Sequence, residues 1–184
     1  MKQKSKIKAG WLESASPLSS PNFDERPHDG VISLIVIHCI SLPPAEFGND
    51  YISQFFTNCL NPDEHPYFET IKDLHVSSHL LIQRDGTTIQ YVPFHKRAWH
   101  AGTSCYAGKN QCNDFSVGIE LEGTEETCYT DEQYVRLADA IRSLVDKYPT
   151  LSRERIVGHS DIAPERKTDP GDSFDWERLY SLLR

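Results

Sequence analysis

The run VISLIVIH at residues 31–38 constrains the fold more than any other stretch of the chain. It is rich in β-branched residues and almost continuously apolar, which is typical of a strand buried on both faces of a sheet. Such a strand needs layers packed over both of its faces. The run ends on a polar residue, His38, just before a proline-rich stretch at 41–50 that predicts a loop.

Further strands are predicted along the chain. Residues 77–94 contain two apolar runs joined through Asp85-Gly86, which indicates a hairpin. Residues 115–123 alternate in polarity, with Val117, Ile119 and Leu121 on one side. Residues 153–159 predict a last strand, which ends on His159. The hairpin makes the predicted sheet a mixed one.

Helices are predicted between these strands. Thr130 and Gln133 form a capping-box pattern, and an apolar stripe follows to about Tyr148. The stripe consists of Tyr134, Leu137, Ile141, Leu144 and Val145. Residues 50–60 and 174–183 also predict helices, whereas 63–74 fits either a short helix or an irregular turn. The chain of 184 residues is therefore predicted to form one α/β domain, a central mixed β-sheet flanked by helices.

Composition excludes several classes of protein. The net charge of −8 argues against a nucleic-acid partner, and no apolar run approaches the length of a membrane span. The basic start lacks the apolar segment of a signal peptide, which predicts a cytoplasmic protein. Five scattered cysteines, an odd number, predict free thiols rather than a disulfide framework. Residues 1–10 are predicted to be a disordered extension, and 11–184 the domain.

Polar residues follow two of the predicted strands. Ligands in open α/β sheets tend to lie beyond strand ends, where His38 and His159 can converge and Asp169 can fold back from the loop. Two histidines and a carboxylate are a typical set of three zinc ligands with a fourth position left for water. Each histidine alone is better explained as an ordinary core or surface residue, and spacing leaves His79 and His100 as rival ligands.

Two charged residues are candidates for the proton chemistry of a hydrolase. Glu120 shares a strand face with Ser116 and Gly118, small residues that would leave room for a substrate, and a partly desolvated glutamate suits general acid–base catalysis. The alternative is a solvated outer face. Lys167 lies two residues before Asp169, where its ammonium could stabilise an oxyanion, although a solvated charge in a charged run is the simpler interpretation.

Several motifs together carry a family resemblance. They are VIHCISLPPAEFG, HPYF, SSHLLIQRDGTTIQYVPF, RAWHAG, CNDFSVGIELEGT, YTDEQY and GHSDIAPERKTDPGDSFDW. From about Trp11 to the C-terminal helix the chain resembles the N-acetylmuramoyl-L-alanine amidase family, and within it the cytoplasmic zinc amidases that recycle cell-wall fragments. The resemblance implies the fold of phage lysozyme-like amidases and peptidoglycan recognition proteins.

The resemblance also implies roles for particular residues. His38, His159 and Asp169 match the family's zinc ligands, which implies one zinc ion per chain. Glu120 matches the catalytic glutamate, and Lys167 the lysine that assists it. The family positions that His79 and His100 match do not bind the metal. The implied reaction is hydrolysis of the amide bond between the lactyl group of 1,6-anhydro-N-acetylmuramic acid and L-alanine of a muropeptide, a small-molecule substrate.

Substrate contacts are less well defined by the sequence. Trp99, in RAWHAG, is a candidate wall of the sugar or peptide groove, though aromatic residues more often belong to the core. Cys39, His75 and Gln111 depart from the residues expected in close relatives, and the latter two replace expected arginines. These departures bear on fine specificity more than on chemistry. The sequence leaves the oligomeric state, the preferred length of the stem peptide and the need for the anhydro sugar open.

Two other classes of function compete with a zinc amidase. One is a peptidoglycan-binding module without catalysis, which the complete set of ligands and catalytic residues disfavours. The other is a cysteine hydrolase built on Cys39 and a neighbouring histidine. Adjacent residues of a strand point to opposite faces, so Cys39 and His38 make a poor dyad.

Overall fold

The computed structural model describes residues 6–27 and 30–184. In chain order its strands are β1 (Ile7–Lys8), β2 (Trp11–Leu12), β3 (Ser16–Pro17), β4 (Phe23–Glu25), β5 (Leu34–Ile40), β6 (Leu80–Ile82), β7 (Thr88–Gln90), β8 (Lys96–Ala98), β9 (Cys105–Tyr106), β10 (Lys109–Asn110), β11 (Ser116–Glu122) and β12 (Ile156–Gly158). Its α-helices are α1 (Tyr51–Phe56), α2 (Pro66–Ile71), α3 (Asp131–Lys147), α4 (His159–Ile162) and α5 (Trp176–Leu182). Short 3₁₀ helices cover Pro62–Glu64, Cys112–Asp114 and Arg153–Arg155.

Six of these strands form the central sheet, in the order β12-β5-β11-β6-β7-β3. β12, β5, β11 and β6 run parallel, while β6 and β7 form the predicted antiparallel hairpin. The sheet is therefore mixed, as predicted. Because the parallel strands end at one edge, the side chains that follow them are brought together there.

The strand register brings the candidate site residues to the same level. Glu120 of β11 lies opposite His38 of β5. Gly158, the last residue of β12, lies opposite Ile37, so His159 leaves the sheet beside His38. Residues far apart in the sequence thus become neighbours through backbone pairing.

Apolar layers cover both faces of the sheet, as the buried run at 31–38 predicts. On one face, α3 packs its predicted stripe against alternate residues of β5 and β11, among them Ile35, Ile37, Val117, Ile119 and Leu121. On the other face, Leu34 and Val36 pack with Phe115 and Ile162. The α1 and α2 helices cover Leu81 and Tyr91 of the hairpin region in a separate apolar cluster.

The helix starts follow from capping residues. The predicted capping box is present at α3, where Thr130 accepts from the backbone N–H of Gln133 and the Gln133 side chain accepts in return. The ambiguous segment 63–74 divides into a 3₁₀ helix and α2, because a proline follows each of the caps Asn61 and His65. The α1 helix ends earlier than predicted, shortly before Asn58, whose φ of 60° lies in the left-handed region.

Two expectations from the sequence, one for the N-terminal extension and one for the last strand, need correction. Within the predicted disordered extension 1–10, residues 1–5 lie outside the described residues, but Ile7–Lys8 pairs with Trp11–Leu12 and is ordered. The Gln90 side chain fixes this hairpin, since it accepts from the backbone N–H of Leu12 and donates to the carbonyl of Gly10.

The last predicted strand, 153–159, is also shorter than expected. Its first residues form a 3₁₀ helix, and His159 begins α4 because Asp161 accepts from the backbone N–H of Gly158. In the described part of the chain no helix combines the length and apolar character that crossing a membrane requires.

Candidate metal centre and cleft

Three buried side chains meet at the carboxyl edge of the sheet. His38 lies near the end of β5, His159 is the first residue of α4, and Asp169 lies in the loop that follows α4. The Nδ1 atoms of the two histidines are 2.9 Å apart, and Asp169 Oδ2 lies 3.1 Å from His38 Nδ1 and 3.2 Å from His159 Nδ1. The three residues predicted as ligands are thus together.

The loop carrying Asp169 packs tightly against the end of β12. A Cβ atom on Gly158 would lie 2.8 Å from Pro170 Cδ, so a larger residue would push the loop away. The backbone N–H of Ser160 donates to the Asp169 carbonyl at 3.0 Å. Glycine at this position and the helix start together hold the carboxylate beside His159.

The geometry of the cluster fits a zinc ion. Three potential ligand atoms lie at the corners of a triangle with sides of 2.9–3.2 Å. Tetrahedral zinc with bonds of about 2.0–2.1 Å spaces its ligand atoms by about 3.3 Å. Two imidazole nitrogens and a carboxylate oxygen are also donors that zinc prefers. The site can therefore hold a metal without rearrangement of the backbone.

The protonation state of the cluster also suits a metal. Burial lowers the pKa of His38 to about 4, because the charged imidazolium is desolvated. Burial would raise the pKa of Asp169, but its contacts with His159 and His38 outweigh that effect and hold the pKa well below its usual range. A neutral His38 and an ionised Asp169 are the forms that bind a cation.

Glu120 lies beside the cluster as an almost completely buried carboxyl group. It is 8% exposed, and within the described residues its Oε2 atom has no hydrogen-bond partner. Burial raises the pKa of Glu120 well above its ordinary value, Asp169 raises it further, and Lys167 lowers it. A carboxyl group with a raised pKa and a free oxygen can accept and return a proton near neutral pH.

A cleft of about 740 Å³ opens over the cluster. Its lining includes the apolar residues Phe55, Tyr67, Leu74, Val76 and Trp99 and the polar residues Thr124, Glu125, Glu126, Thr127 and Lys167. The structure therefore brings Trp99 and Lys167 into the same cleft as Glu120. Ser77 fixes the Trp99 backbone, since the Ser77 N–H donates to the Trp99 carbonyl and the Ser77 hydroxyl accepts from the Trp99 N–H.

The small residues near Glu120 do not leave space for a substrate, contrary to the sequence-based expectation. The His100 ring occupies the space over Gly118, where a Cβ atom would lie 2.5 Å from His100 Cγ. Ser116 is fully buried and lies 3.1 Å from His100 Nε2. Protein atoms therefore fill this face of β11, and the alternative of a solvated face is also wrong.

Glu122, two residues beyond Glu120, is also buried. Its carboxylate accepts from the backbone N–H groups of Gly48 and Arg84, at 2.6 Å and 3.1 Å. The Gly48 contact holds the loop from which Ser41, Leu42, Pro44 and Ala45 line the cleft. Glu122 thus fixes a cleft wall, a role that the sequence did not reveal because it depends on a loop 74 residues away.

The rival histidines do not join the cluster. His79 Nδ1 accepts from the backbone N–H of Gly118 at 3.0 Å. His100 Nδ1 lies 2.9 Å from His38 Nε2, the nitrogen that faces away from the cluster. His100 therefore contacts a candidate ligand from behind, which sequence analysis missed. The unexplained glycine inside β11 was the available signal, because such glycines often mark a close approach by another group.

The cysteine alternative meets an electrostatic obstacle. Cys39 lines the cleft, but burial raises the pKa of its thiol to about 12, an effect that a hydrogen bond with Tyr129 only partly offsets. A nucleophilic cysteine needs its thiolate form. All five cysteines are free thiols in the structure, and the two other departures, His75 and Gln111, are exposed.

Known proteins with a similar sequence or structure support the family resemblance seen in the sequence. A family model for N-acetylmuramoyl-L-alanine amidase matches residues 28–172. The 1,6-anhydro-N-acetylmuramyl-L-alanine amidase AmpD of Enterobacter cloacae is 53% identical over 177 residues, which cover 96% of this chain and 94% of the relative. A crystal structure of a selenomethionine AmpD derivative superposes with a TM-score of 0.94 at 53% identity, covering 97% of this chain and 99% of that one.

A more distant structure contains a ligand. It is the N-acetylmuramyl-L-alanine amidase AmiD of Escherichia coli in complex with the substrate anhydro-N-acetylmuramic acid-L-Ala-D-γ-Glu-L-Lys. It superposes with a TM-score of 0.61 at 27% identity, covering 97% of this chain and 65% of that one. The family model, the near-full-length relatives and the superposed structures agree with the observed fold. The chain belongs to the N-acetylmuramoyl-L-alanine amidase family.

Proposed function

We propose that this protein hydrolyses the amide bond between the lactyl group of 1,6-anhydro-N-acetylmuramic acid and L-alanine of the stem peptide. The observation that carries the proposal is the buried cluster of His38, His159 and Asp169 beside Glu120, in a chain 53% identical to AmpD over nearly its whole length. In this proposal the amidase domain extends to residue 184 and begins with the hairpin of β1 and β2, four residues before the predicted boundary at residue 11.

The cleft supports a small amphiphilic substrate. Ligand sites commonly combine an apolar wall with a few polar groups that set orientation, and a cleft of about 740 Å³ is of the usual size. The half-buried Trp99 offers an aromatic wall for the sugar or the peptide. The complex of AmiD with an anhydro-muropeptide supports a ligand of the same class here.

The metal of the proposed reaction is one zinc ion, with His38, His159 and Asp169 as its ligands. Zinc supplies Lewis acidity, which polarises the substrate carbonyl and lowers the pKa of a water molecule to about 7. The protein holds the ligands buried and places Glu120 next to them. This arrangement keeps bulk water away from the reacting groups.

Glu120 is the proton carrier in this proposal. Its unpartnered Oε2 atom accepts a proton from the attacking water and later returns it to the nitrogen of L-alanine as the amide bond breaks. The Lys167 ammonium lies in the same cleft and stabilises the negative charge that develops on the carbonyl oxygen. The products are a lactyl carboxylate on the sugar and a peptide with a free amino terminus.

The biological setting that fits this reaction is the recycling of muropeptides from the cell wall. A free anhydro-muropeptide is a small molecule, so the proposal requires neither a nucleic acid nor a membrane as a partner. The cytoplasmic location expected from the sequence remains a prediction.

The direct test is incubation of the purified protein with matched anhydro- and non-anhydro-muropeptides, followed by mass spectrometry. We expect cleavage of the anhydro compound at the lactyl–alanine bond. Enzyme stripped with a chelator is the matched control: it should be inactive, and added zinc should restore its activity. Tight binding without cleavage in the zinc-loaded protein would instead favour the peptidoglycan-binding module.

A further inference from the structure

Both histidines of the candidate metal centre are held from behind by one short segment. His38 Nε2 lies 2.9 Å from Nδ1 of His100. His159 Nε2 lies 3.1 Å from the carbonyl oxygen of Ala101, the next residue in the chain. Residues 100–101 therefore contact the outward nitrogen of each candidate ligand, while both inward Nδ1 atoms face Asp169.

The contact at His38 has a defined direction. The Ser116 hydroxyl donates to the Cys112 carbonyl at 2.6 Å, so its oxygen must accept from His100 Nε2 at 3.1 Å. With its proton on Nε2, a neutral His100 has a lone pair on Nδ1. His38 Nε2 must then be the donor, which leaves the inward Nδ1 atom of His38 unprotonated. The Cys112 carbonyl, which can only accept, thus sets the tautomer of His100 and, through His100, that of His38.

The contact at His159 leads to the same result by a shorter route. The carbonyl of Ala101 can only accept, and Arg166 Nη2, 3.4 Å from His159 Nε2, already donates its two protons to the Ala101 and Thr103 carbonyls. The His159 Nε2 atom therefore carries the proton, and the inward Nδ1 atom has the lone pair. Arg166 donates to the same carbonyl at 2.6 Å, using its second lone pair. The inward nitrogens of both histidines are thereby ready to bind a cation.

Residues 100–101 are held in place by hydrogen bonds to Asn113 and by the fit of the His100 ring beside Gly118. The Asn113 side-chain oxygen accepts from the backbone N–H groups of His100 and Ala101, at 3.1 Å and 2.8 Å. Asn113 is 7% exposed. The absence of a side chain at Gly118 leaves the space that the His100 ring fills. Neither residue 100 nor residue 101 can shift without breaking these contacts.

We propose that His100 and Ala101, clamped by Asn113, form a positioning element that presents the Nδ1 lone pairs of both His38 and His159 to the metal. His100 contacts the nitrogen of His38 that faces away from the cluster, so it acts on the metal through His38. The proposal rests on the proposed function in so far as the metal is concerned, but the tautomers it specifies belong to the metal-free protein as well. Groups that orient metal-binding histidines typically contribute about 10- to 100-fold to metal affinity.

The test compares His100→Phe, which keeps an aromatic ring but removes the acceptor, with His100→Asn, whose side-chain oxygen can replace Nδ1. Zinc affinity is measured by competition with a chromophoric chelator. We expect about 10- to 100-fold weaker binding in His100→Phe and partial recovery in His100→Asn. Half-buried His65, which lies outside the cluster, provides the control, since His65→Phe should bind zinc as the wild type does.

A second readout uses ¹⁵N NMR of the histidine rings in the metal-free protein. We expect His38 and His159 protonated on Nε2 in the wild type, and a mixture of His38 tautomers in His100→Phe. Ser116→Ala, a small change that removes the acceptor for His100 Nε2 together with the hydrogen bond to the Cys112 carbonyl, should give the same mixture if His100→Phe does not fold. An Nδ1-protonated His38 in the wild type, or unchanged zinc affinity and tautomers in both variants, would overturn the proposal.

These readouts are independent of amidase activity. A wild-type protein that shows the expected tautomers and zinc affinity but cleaves no muropeptide would overturn the proposed function and leave the positioning role intact. Conversely, if the wild type cleaves muropeptides but neither variant changes the tautomers or the zinc affinity, the positioning role is overturned and the proposed function stands.

Discussion

The two faces of β11 are equally buried but are filled in different ways. Val117, Ile119 and Leu121 on one face pack into the apolar layer beneath α3. On the other face, Ser116 and Glu122 are buried through directed hydrogen bonds to His100, Cys112, Gly48 and Arg84. Between them lies Glu120, whose Oε2 atom has no partner among the described residues.

The difference separates stability from chemistry along one strand. Apolar packing is non-directional, so its contribution follows the area and volume that are buried. A buried polar group instead depends on its particular partners and costs free energy where one is lacking. Glu120 carries that cost beside the candidate metal centre, which is where a proton carrier is needed. We therefore expect substitutions on the two faces to have separable effects.

The largest effect on catalysis is expected on the polar face, from Glu120→Gln. Loss of a positioned general base should lower kcat by about 10²- to 10⁴-fold. The free energy of unfolding should not fall, because the burial that raises the pKa of Glu120 already disfavours its charged form. Steady-state kinetics and denaturant unfolding measure the two quantities, and bound zinc should be unchanged. An active variant would transfer the role of proton carrier to another group.

The next largest effect is expected on the apolar face, from Leu121→Ala. Leu121 is completely buried, so the free energy of unfolding should fall by about 2–5 kcal/mol. At temperatures where the variant remains folded, kcat should stay close to that of the wild type. Leu18→Ala, at an exposed leucine, is the matched control and should change stability by less than about 0.5 kcal/mol. A large loss of kcat in folded Leu121→Ala would show that the faces are not separable.

The surroundings of the polar face should also make stability depend on pH. Burial lowers the pKa of His38 to about 4 and those of His79 and His100 well below the ordinary value. Below about pH 6.5 the unfolded chain therefore takes up protons that the folded metal-free protein does not. As the pH is lowered further, the free energy of unfolding falls by about 1.4 kcal/mol per pH unit for each such proton. Glu120, with its raised pKa, offsets one of them.

The slope of stability against pH should distinguish a substitution on the apolar face of β11 from one in the surroundings of its polar face. In denaturant unfolding of the metal-free protein between about pH 6.5 and 5, Leu121→Ala should lower the whole curve without changing its slope. His79→Gln should reduce the slope by about one proton. Equal slopes in both variants and the wild type would mean that His79 is not neutral in the folded protein.

The smallest effect is expected at Cys39, which lines the cleft but has no chemical role in the proposed mechanism. Cys39→Ser should keep its zinc and its kcat, because a thiol with a pKa of about 12 is not ionised at neutral pH. A hydroxyl in this half-buried position should cost about 1 kcal/mol of stability. Loss of kcat with zinc retained would favour the cysteine hydrolase instead.

The sequence predicted the parts of the site that depend on regular strands. His38 and His159 were expected to meet because both follow apolar runs, and parallel pairing of β5 with β12 brings them together. The alternation in β11 also placed Val117, Ile119 and Leu121 on one face, as observed. These inferences need only the period of a strand and the rule that ligands lie at its carboxyl end.

The remaining features depend on contacts without a periodic signal. His100 reaches Gly118 from an irregular loop, so the space beside Glu120 was wrongly assigned to substrate. The strand Ile7–Lys8 is two residues long, too short for a polarity pattern, and its anchor Gln90 is about 80 residues away. His159 begins a helix because of the Asp161 side chain, which no strand pattern anticipates.

The metal content of the purified protein tests the central claim most directly. Elemental analysis should find one zinc ion per chain in the wild type, and none in His38→Ala or His159→Ala, with amidase activity lost in both. His65→Ala, at a half-buried histidine outside the cluster, should keep both zinc and activity. Full zinc occupancy in either ligand variant would contradict the assignment of His38, His159 and Asp169 as the metal centre.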